Sequence, residues 1–183
     1  MDRIGQDIRA LRRARNMTIA ECARRLGRST GWLSQVERGR TTPSVQDLGQ
    51  IARIFDLNIS FFFRSSNRQP EEQGLIVRAA DRSAIGSPAT GLSEELLSPG
   101  LTGGFQMIRS VFAPHARGPG LRPARDKEDG GLLLSGRLIL TIDERRFTLA
   151  QGDSFQFRAT SYGWENPGDI PAEVIWIVAP PIY

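Results

Sequence analysis

The 183-residue chain has one cysteine, Cys22, one histidine, His115, and one lysine, Lys127, and no apolar run in it approaches the ~18 residues needed to cross a membrane. A single thiol excludes an internal disulfide framework, and a single imidazole excludes a histidine-rich metal site. The first residues are polar and run straight into an amphipathic pattern, without the basic head and apolar core of a secretion signal, so a cytoplasmic protein is expected. Positive charge is almost all arginine and is placed unevenly. Residues 1–68 hold 13 Arg against six Asp and Glu, net +7, whereas residues 69–183 hold 11 Lys and Arg against 14 acids, net −3. Such asymmetry points to a polyanion partner for the front part alone.

Apolar spacing in the basic part is helical. Ile4, Ile8 and Leu11 form one stripe that leaves Arg9, Arg12, Arg13 and Arg15 mostly outside it, and that helix should stop near Asn16. Thr18 followed by Glu21 predicts a capping box opening a second helix, with Ile19, Cys22, Ala23 and Leu26 inward and Gly27 ending it. Ser29 is placed to cap a third helix that buries Leu33 and Val36. Pro43 and Ser44 open a fourth, and Ile59, Phe62 and Phe63 supply a fifth short apolar element. Ala23 and Gly27 provide the small residue and tight turn that a steep helix crossing needs.

The segment Leu33-Ser-Gln-Val-Glu-Arg-Gly-Arg40, followed by Thr-Thr-Pro-Ser, resembles the signature of the phage-repressor-like, XRE-type helix-turn-helix family, over residues 3–63. The resemblance implies a third helix in the DNA major groove, with Thr30, Gly31, Ser34 and Gln35 at the base-facing positions. Gln35 suits bidentate pairing with adenine. Arg38 and Arg40, with the helix end at Thr18, are natural phosphate clamps, Arg28 and Ser29 flank the reading helix, and Glu37 is expected to pair with Arg12. Trp32 reads as a packing or dimer residue.

Residues 64–73 contain no apolar side chain and read as a linker. Beyond it, short runs rich in Val, Ile, Leu and Phe recur between Gly, Pro and Asp clusters, at 75–77, 105–112, 132–134, 138–142, 146–149, 155–157 and 173–178. Gly130-Gly-Leu-Leu-Leu-Ser-Gly136, Gln151-Gly-Asp-Ser-Phe-Gln-Phe157 and Glu165-Asn-Pro-Gly-Asp169 resemble the cupin family's motifs over residues 105–181, with Gly136, Gly152, Asp153 and Asn166 at turn positions. The fold expected is multidomain α plus all-β. A five-helix helix-turn-helix domain occupies residues 1–66, a linker 67–73, and a cupin-like jelly-roll β-barrel 74–183.

Metal-dependent cupins use two histidines and a glutamate in the first motif and a histidine in the second. Here Asp129 falls at the carboxylate position, but the histidine positions fall in Arg122-Pro-Ala-Arg125 and on Tyr162 or Gly163. No catalytic residue, metal or cofactor is therefore expected, and the barrel reads as a sensor. An inward Arg122 or Arg125 would suit the carboxylate or phosphate of an anionic small-molecule effector, with Asp129, Tyr162 and Trp164 completing the pocket. Both arginines on a solvated loop, or a barrel that only dimerises, are the alternatives. Pro99-Gly-Leu-Thr-Gly-Gly104 lacks the Lys-Ser/Thr of a phosphate loop, and no serine or cysteine stands in a nucleophile context. The expected function is DNA-binding transcriptional regulation by a homodimer on double-stranded operator DNA. A metal-dependent cupin enzyme with an accessory DNA-binding arm is the rival.

Overall fold

A computed structural model describes residues 3–55, 57–63, 69–85, 90–101 and 103–181. The chain divides into two compact units, one built mainly from residues up to 85 and the other from 86–97 and 105–180.

Four α-helices make the first unit: α1 (Arg3–Ala14), α2 (Ile19–Arg25), α3 (Thr30–Glu37) and α4 (Val45–Ile54). Ile8, Leu11, Cys22, Leu33, Val36, Ile51 and Phe55 are buried at its centre, as their spacing predicts. Asn16, with φ 53°, ends α1, and Gly27, with φ +62°, turns the chain between α2 and α3. The Thr18 hydroxyl accepts from the Glu21 N–H at 3.1 Å, but the Glu21 carboxylate turns to Arg25, one helical turn on, instead of reaching back. Only half of the expected box forms there. A reciprocal box does open α4, between Ser44 and Asp47. The tightest approach falls at Gly5, where a Cβ would lie 2.2 Å from the Val36 carbonyl oxygen, so α1 meets α3 at a glycine the sequence reading passed over.

The fifth helix is not an α-helix. Ile59–Phe63 forms a five-residue 3-10 turn that still buries Phe61 and Phe62. Part of the linker, 64–68, lies outside the described residues, and Pro70–Glu72 is another 3-10 turn. Residues 75–77 are not a strand. Leu75 and Ile76 donate their N–H groups to the Glu72 carbonyl and are 76% and 43% exposed, with Gly74 at φ +78° bending the chain before them. The short strand β1 (Ser83–Ile85) also belongs to this unit, with Ile85 bridging Leu57.

The second unit is a sandwich of antiparallel sheets built from β2 (Leu92–Leu96), β3 (Gln106–Phe112), β4 (Glu128–Ser135), β5 (Arg137–Ile142), β6 (Arg145–Ala150), β7 (Ser154–Arg158), β8 (Tyr162–Glu165) and β9 (Ala172–Ala179). Within it the larger sheet runs β2-β3-β9-β4-β7 and the smaller β6-β5-β8. Strict alternation on β3 and β9 sends Ile108, Ser110, Phe112, Ala172, Val174, Trp176 and Val178 inward. Among the described residues β7 pairs only with β4 and β6 only with β5, so the sheets form an open sandwich instead of the expected closed barrel. Gly136 and Gly152 adopt positive φ, +80° and +91°, at the turns where glycine was expected. Buried Asn166 bridges the turn after β8 to the end of β3.

Candidate functional site

The first unit presents α3 as a pre-set reading element. Ser29 caps it by accepting from the Trp32 N–H at 3.1 Å, and Arg12 locks its far end through a two-pronged pair with Glu37, at 2.6 and 2.9 Å. The expected Arg12–Glu37 pairing is present and nearly buried, with side chains 12% and 5% exposed. The hydrogen bonds it donates to Glu37 hold the Arg12 guanidinium above its ordinary value despite burial. Thr30 and Gly31 lie exposed at the start of α3, and Ser34 and Gln35 are half-buried one turn on.

Several side chains are already engaged. Arg38 donates to the Ser34 hydroxyl at 2.5 Å. Arg28 donates twice to one oxygen of Asp47, at 2.7 and 2.9 Å, and lies over the Trp32 ring, 5.2 Å from its centroid. Trp32 therefore packs under an arginine. Burial pushes the Asp47 carboxyl up, but Ser44 and Arg28 together hold it below its usual range. Asp47 was missed as the anchor of Arg28, although its place three residues after Ser44 was a legible capping signal. The Gln35 amide oxygen is buried without a partner, so bidentate base contact requires this side chain to rotate outward. Arg40 is exposed beyond the Gly39 turn.

In the second unit, Arg122, Asp129 and Tyr162 converge inside the sandwich. A backbone bridge ties Arg122 to Tyr162, the Arg122 N–H donating at 2.6 Å and the Tyr162 N–H at 3.1 Å. The guanidinium then donates to the Tyr162 hydroxyl at 3.2 Å and lies 5.7 Å from the ring centroid. Asp129 accepts from the Trp176 indole N–H at 2.7 Å. Phe155, Phe157, Tyr162 and Trp176 form a cluster of rings with centroids 4.7–6.4 Å apart. Gly131 makes the room: a Cβ there would lie 2.5 Å from the Phe155 ring.

The other two expected pocket residues stand elsewhere. Trp164 packs on Phe112, with centroids 4.8 Å apart, and Trp176 takes the aromatic role. Arg125 is exposed and touches Asp129 only through its charge. Sequence reading missed Glu94 on β2, which accepts from the Ser110 hydroxyl at 3.3 Å and lies close enough to Arg122 to interact with its charge. Consecutive glutamates, Glu94-Glu95, disguised that strand.

Burial pushes the Glu94 carboxyl above its ordinary range, with Arg122 and Ser110 opposing, and does the same to Asp129 against Trp176 and Arg122. The folded state thus holds the Glu94 proton more tightly than the unfolded chain does. The resulting stability is present below the ordinary carboxylate range and is lost as pH rises through the raised folded value. Glu94→Gln, permanently neutral, is expected to be more stable than the parent at about pH 8 and to lose that advantage near about pH 4. Urea denaturation at the two pH values measures this, and equal stabilities at the higher pH would show that pairing with Arg122 outweighs desolvation.

The donor set does not fit a cupin metal centre. His115 lies on an exposed turn, 3.0 Å from a still more exposed Asp169, and the described residues contain no group of three or more His, Cys, Asp or Glu able to hold an ion.

Comparisons with known proteins agree with this division. Residues 3–58 match the helix-turn-helix domain family and residues 109–178 the cupin domain family. The HTH-type transcriptional regulator PuuR of Escherichia coli (strain K12) is 25% identical over 154 residues, covering 82% of this chain and 80% of that protein. Hydroxypropylphosphonic acid epoxidase from S. wedmorenis shares the fold at 13% identity, with a TM-score of 0.50 over 96% of each chain. An RmlC-like cupin from Shewanella frigidimarina does so at 17% identity and a TM-score of 0.50, over 58% of this chain and 90% of its own. With its capped α3 and its cupin sandwich, the chain joins a helix-turn-helix domain to a C-terminal cupin domain and is similar over most of its length to an HTH-type transcriptional regulator.

Proposed function

We propose that the chain acts in the cytoplasm as a homodimer, each protomer setting α3 into one half-site of a palindromic operator about 34 Å from the other. The observation that carries this reading is the exposed N-terminal half of α3, held by the Ser29 cap and the Arg12–Glu37 pair within a strongly basic unit. Thr30, Gly31, Ser34 and Gln35 face the bases. Thr18, Arg28, Ser29, Arg38 and Arg40 set the register on phosphate, with Arg28 first having to leave or share Asp47. Residues 1–66 form the DNA-binding domain, 67–73 the linker and 74–183 the sensor and dimerisation domain. An effector inside the sandwich acts by preferring one arrangement of the two reading helices over the other. We read the cupin domain as non-catalytic because arginine and tyrosine stand where a metal-binding cupin carries imidazoles.

Fluorescence anisotropy on duplexes selected by the protein from a random pool tests the reading. Gln35→Ala is expected to relax discrimination at one or two base pairs by about 1–3 kcal/mol. Arg40→Ala is expected to weaken every duplex alike and to flatten the salt slope by about one phosphate contact. Uniform loss from Gln35→Ala would remove it from base reading, and no selected duplex at all would overturn operator binding.

A further inference from the structure

Arg28 stands one residue before the Ser29 cap of α3, on the turn that Gly27 makes, with its backbone N–H fixed on the Ala23 carbonyl at 2.9 Å. Its Nε and Nη2 both donate to one oxygen of buried Asp47, and its plane lies over the Trp32 ring. Asp47 is held in turn by Ser44, whose hydroxyl and N–H donate to the other carboxylate oxygen at 2.6 and 3.0 Å. One edge and one face of the guanidinium are therefore occupied, yet the side chain remains 46% exposed. Among the described residues nothing accepts from the two N–H groups of Nη1.

A phosphate clamp works through its charge and tolerates a mobile side chain. Here the charge is cancelled in place by Asp47, while a carboxylate, a ring and a capped helix fix the orientation. The arrangement supplies direction more than charge. It also stands where the reading helix is short of a donor. Gly31, exposed in the first turn of α3, has no side chain to offer, and only the Ser29 hydroxyl comes within 4 Å of where one would begin.

We propose that Arg28 keeps its hold on Asp47 when the protein is on DNA and reads one guanine of each half-site. Its outer edge, one N–H from Nη1 and one from Nη2, donates as a pair to the O6 and N7 acceptors in the major groove. Guanine is the base that presents two adjacent acceptors there, which is what two parallel donors require. The inference rests on operator binding through α3 and moves Arg28 from setting register to reading sequence. Asp47 and Trp32 are its positioning residues.

Fluorescence anisotropy of the full chain on its selected duplex, with each guanine replaced in turn by 7-deazaguanine, tests the proposal. That base lacks the N7 acceptor. For the parent chain one guanine, at the end of the half-site that the N-terminus of α3 enters, should cost about tenfold in affinity when replaced, as loss of a charged hydrogen bond does. Arg28→Lys keeps a cation beside Asp47 but loses the fork, so it should keep its melting temperature, bind the selected duplex less tightly and become indifferent to that replacement. Arg28→Met should lose the same preference with an unchanged salt slope. Asp47→Asn leaves one oxygen to serve both Ser44 and Arg28. It should lose the guanine preference while binding other duplexes no more weakly, because a negative charge beside the reading helix has gone. A salt slope flattened by about one phosphate in Arg28→Met, or no guanine singled out by the parent chain, would overturn base reading by Arg28 and leave operator binding intact. Uniform weakening by Asp47→Asn with the guanine preference retained would reduce Asp47 to the cap of α4 and overturn its positioning role. Failure to select any duplex would overturn operator binding itself, and the assignment of Arg28 with it.

Discussion

Alanine at Glu37 is expected to destabilise the helix-turn-helix unit by about 3–5 kcal/mol, because it strands the Arg12 guanidinium in a nearly buried position. The bond from Arg12 to the Met17 carbonyl, at 2.9 Å, would remain to that guanidinium. At roughly 4–8 °C per kcal/mol for a domain of this size, the melting temperature should fall by well over 10 °C. Affinity for duplex DNA should fall with it, since Glu37 is the last residue of α3 and Arg12 stands on α1. The cost belongs to the unpaired charge. Replacing both partners, Arg12→Met with Glu37→Leu, should therefore recover most of the stability, because an apolar pair of similar volume removes two desolvation penalties at once. A double variant as unstable as Glu37→Ala alone would show that the pair is needed for its geometry and not merely for its charge balance.

Asn166→Ala is expected to be the most damaging single change in the cupin unit. This side chain is fully buried, and its amide nitrogen reaches the carbonyls of Phe112, Ala113 and Ile170 at 2.9–3.1 Å, while its oxygen accepts from the Gly168 N–H at 2.9 Å. Alanine leaves those groups without partners, at about 1–3 kcal/mol for each buried group that water fails to reach. A loss of about 3–4 kcal/mol is expected, read as a shift in the urea midpoint at unchanged slope. Asn166→Asp separates the two ends of the amide. It keeps the acceptor for Gly168 but points an oxygen at three carbonyls, so it should be at least as unstable as alanine. An aspartate variant of parental stability would show that the Gly168 contact alone holds the turn.

Helices were legible because amphipathic spacing and capping residues act locally: Ile8 and Leu11, Ser29, Ser44 and Gly27 do in the fold what their positions predicted. The capping box at Thr18 was half right, since Glu21 had a competitor in Arg25 one turn away that a pattern of two residues does not weigh. Strands with strict alternation were also legible. Strand β2 was not, because its inward Glu94 and its neighbour Glu95 look like a solvated turn until β3 supplies Ser110 opposite. Residues 75–77 failed in the opposite direction: three apolar side chains in a row satisfy a strand pattern but find no partner strand.

The candidate pocket divides in the same way. Arg122, Asp129 and Tyr162 could be named from their places in the cupin-like motifs, but Trp164 and Trp176 both alternate inward, and only register across β4, β8 and β9 puts Trp176 on Asp129 and Trp164 on Phe112. The sequence by itself determined the two kinds of domain, the capped reading helix in a basic unit, and the absence of a histidine set, because composition and local periodicity carry that information. Only the tertiary structure decided which charges face one another. Arg28 is committed to Asp47, 19 residues away, and the carboxylates around Arg122 come from strands far apart in the chain, and in both cases the sign of the site depends on a long-range pairing that no local pattern encodes.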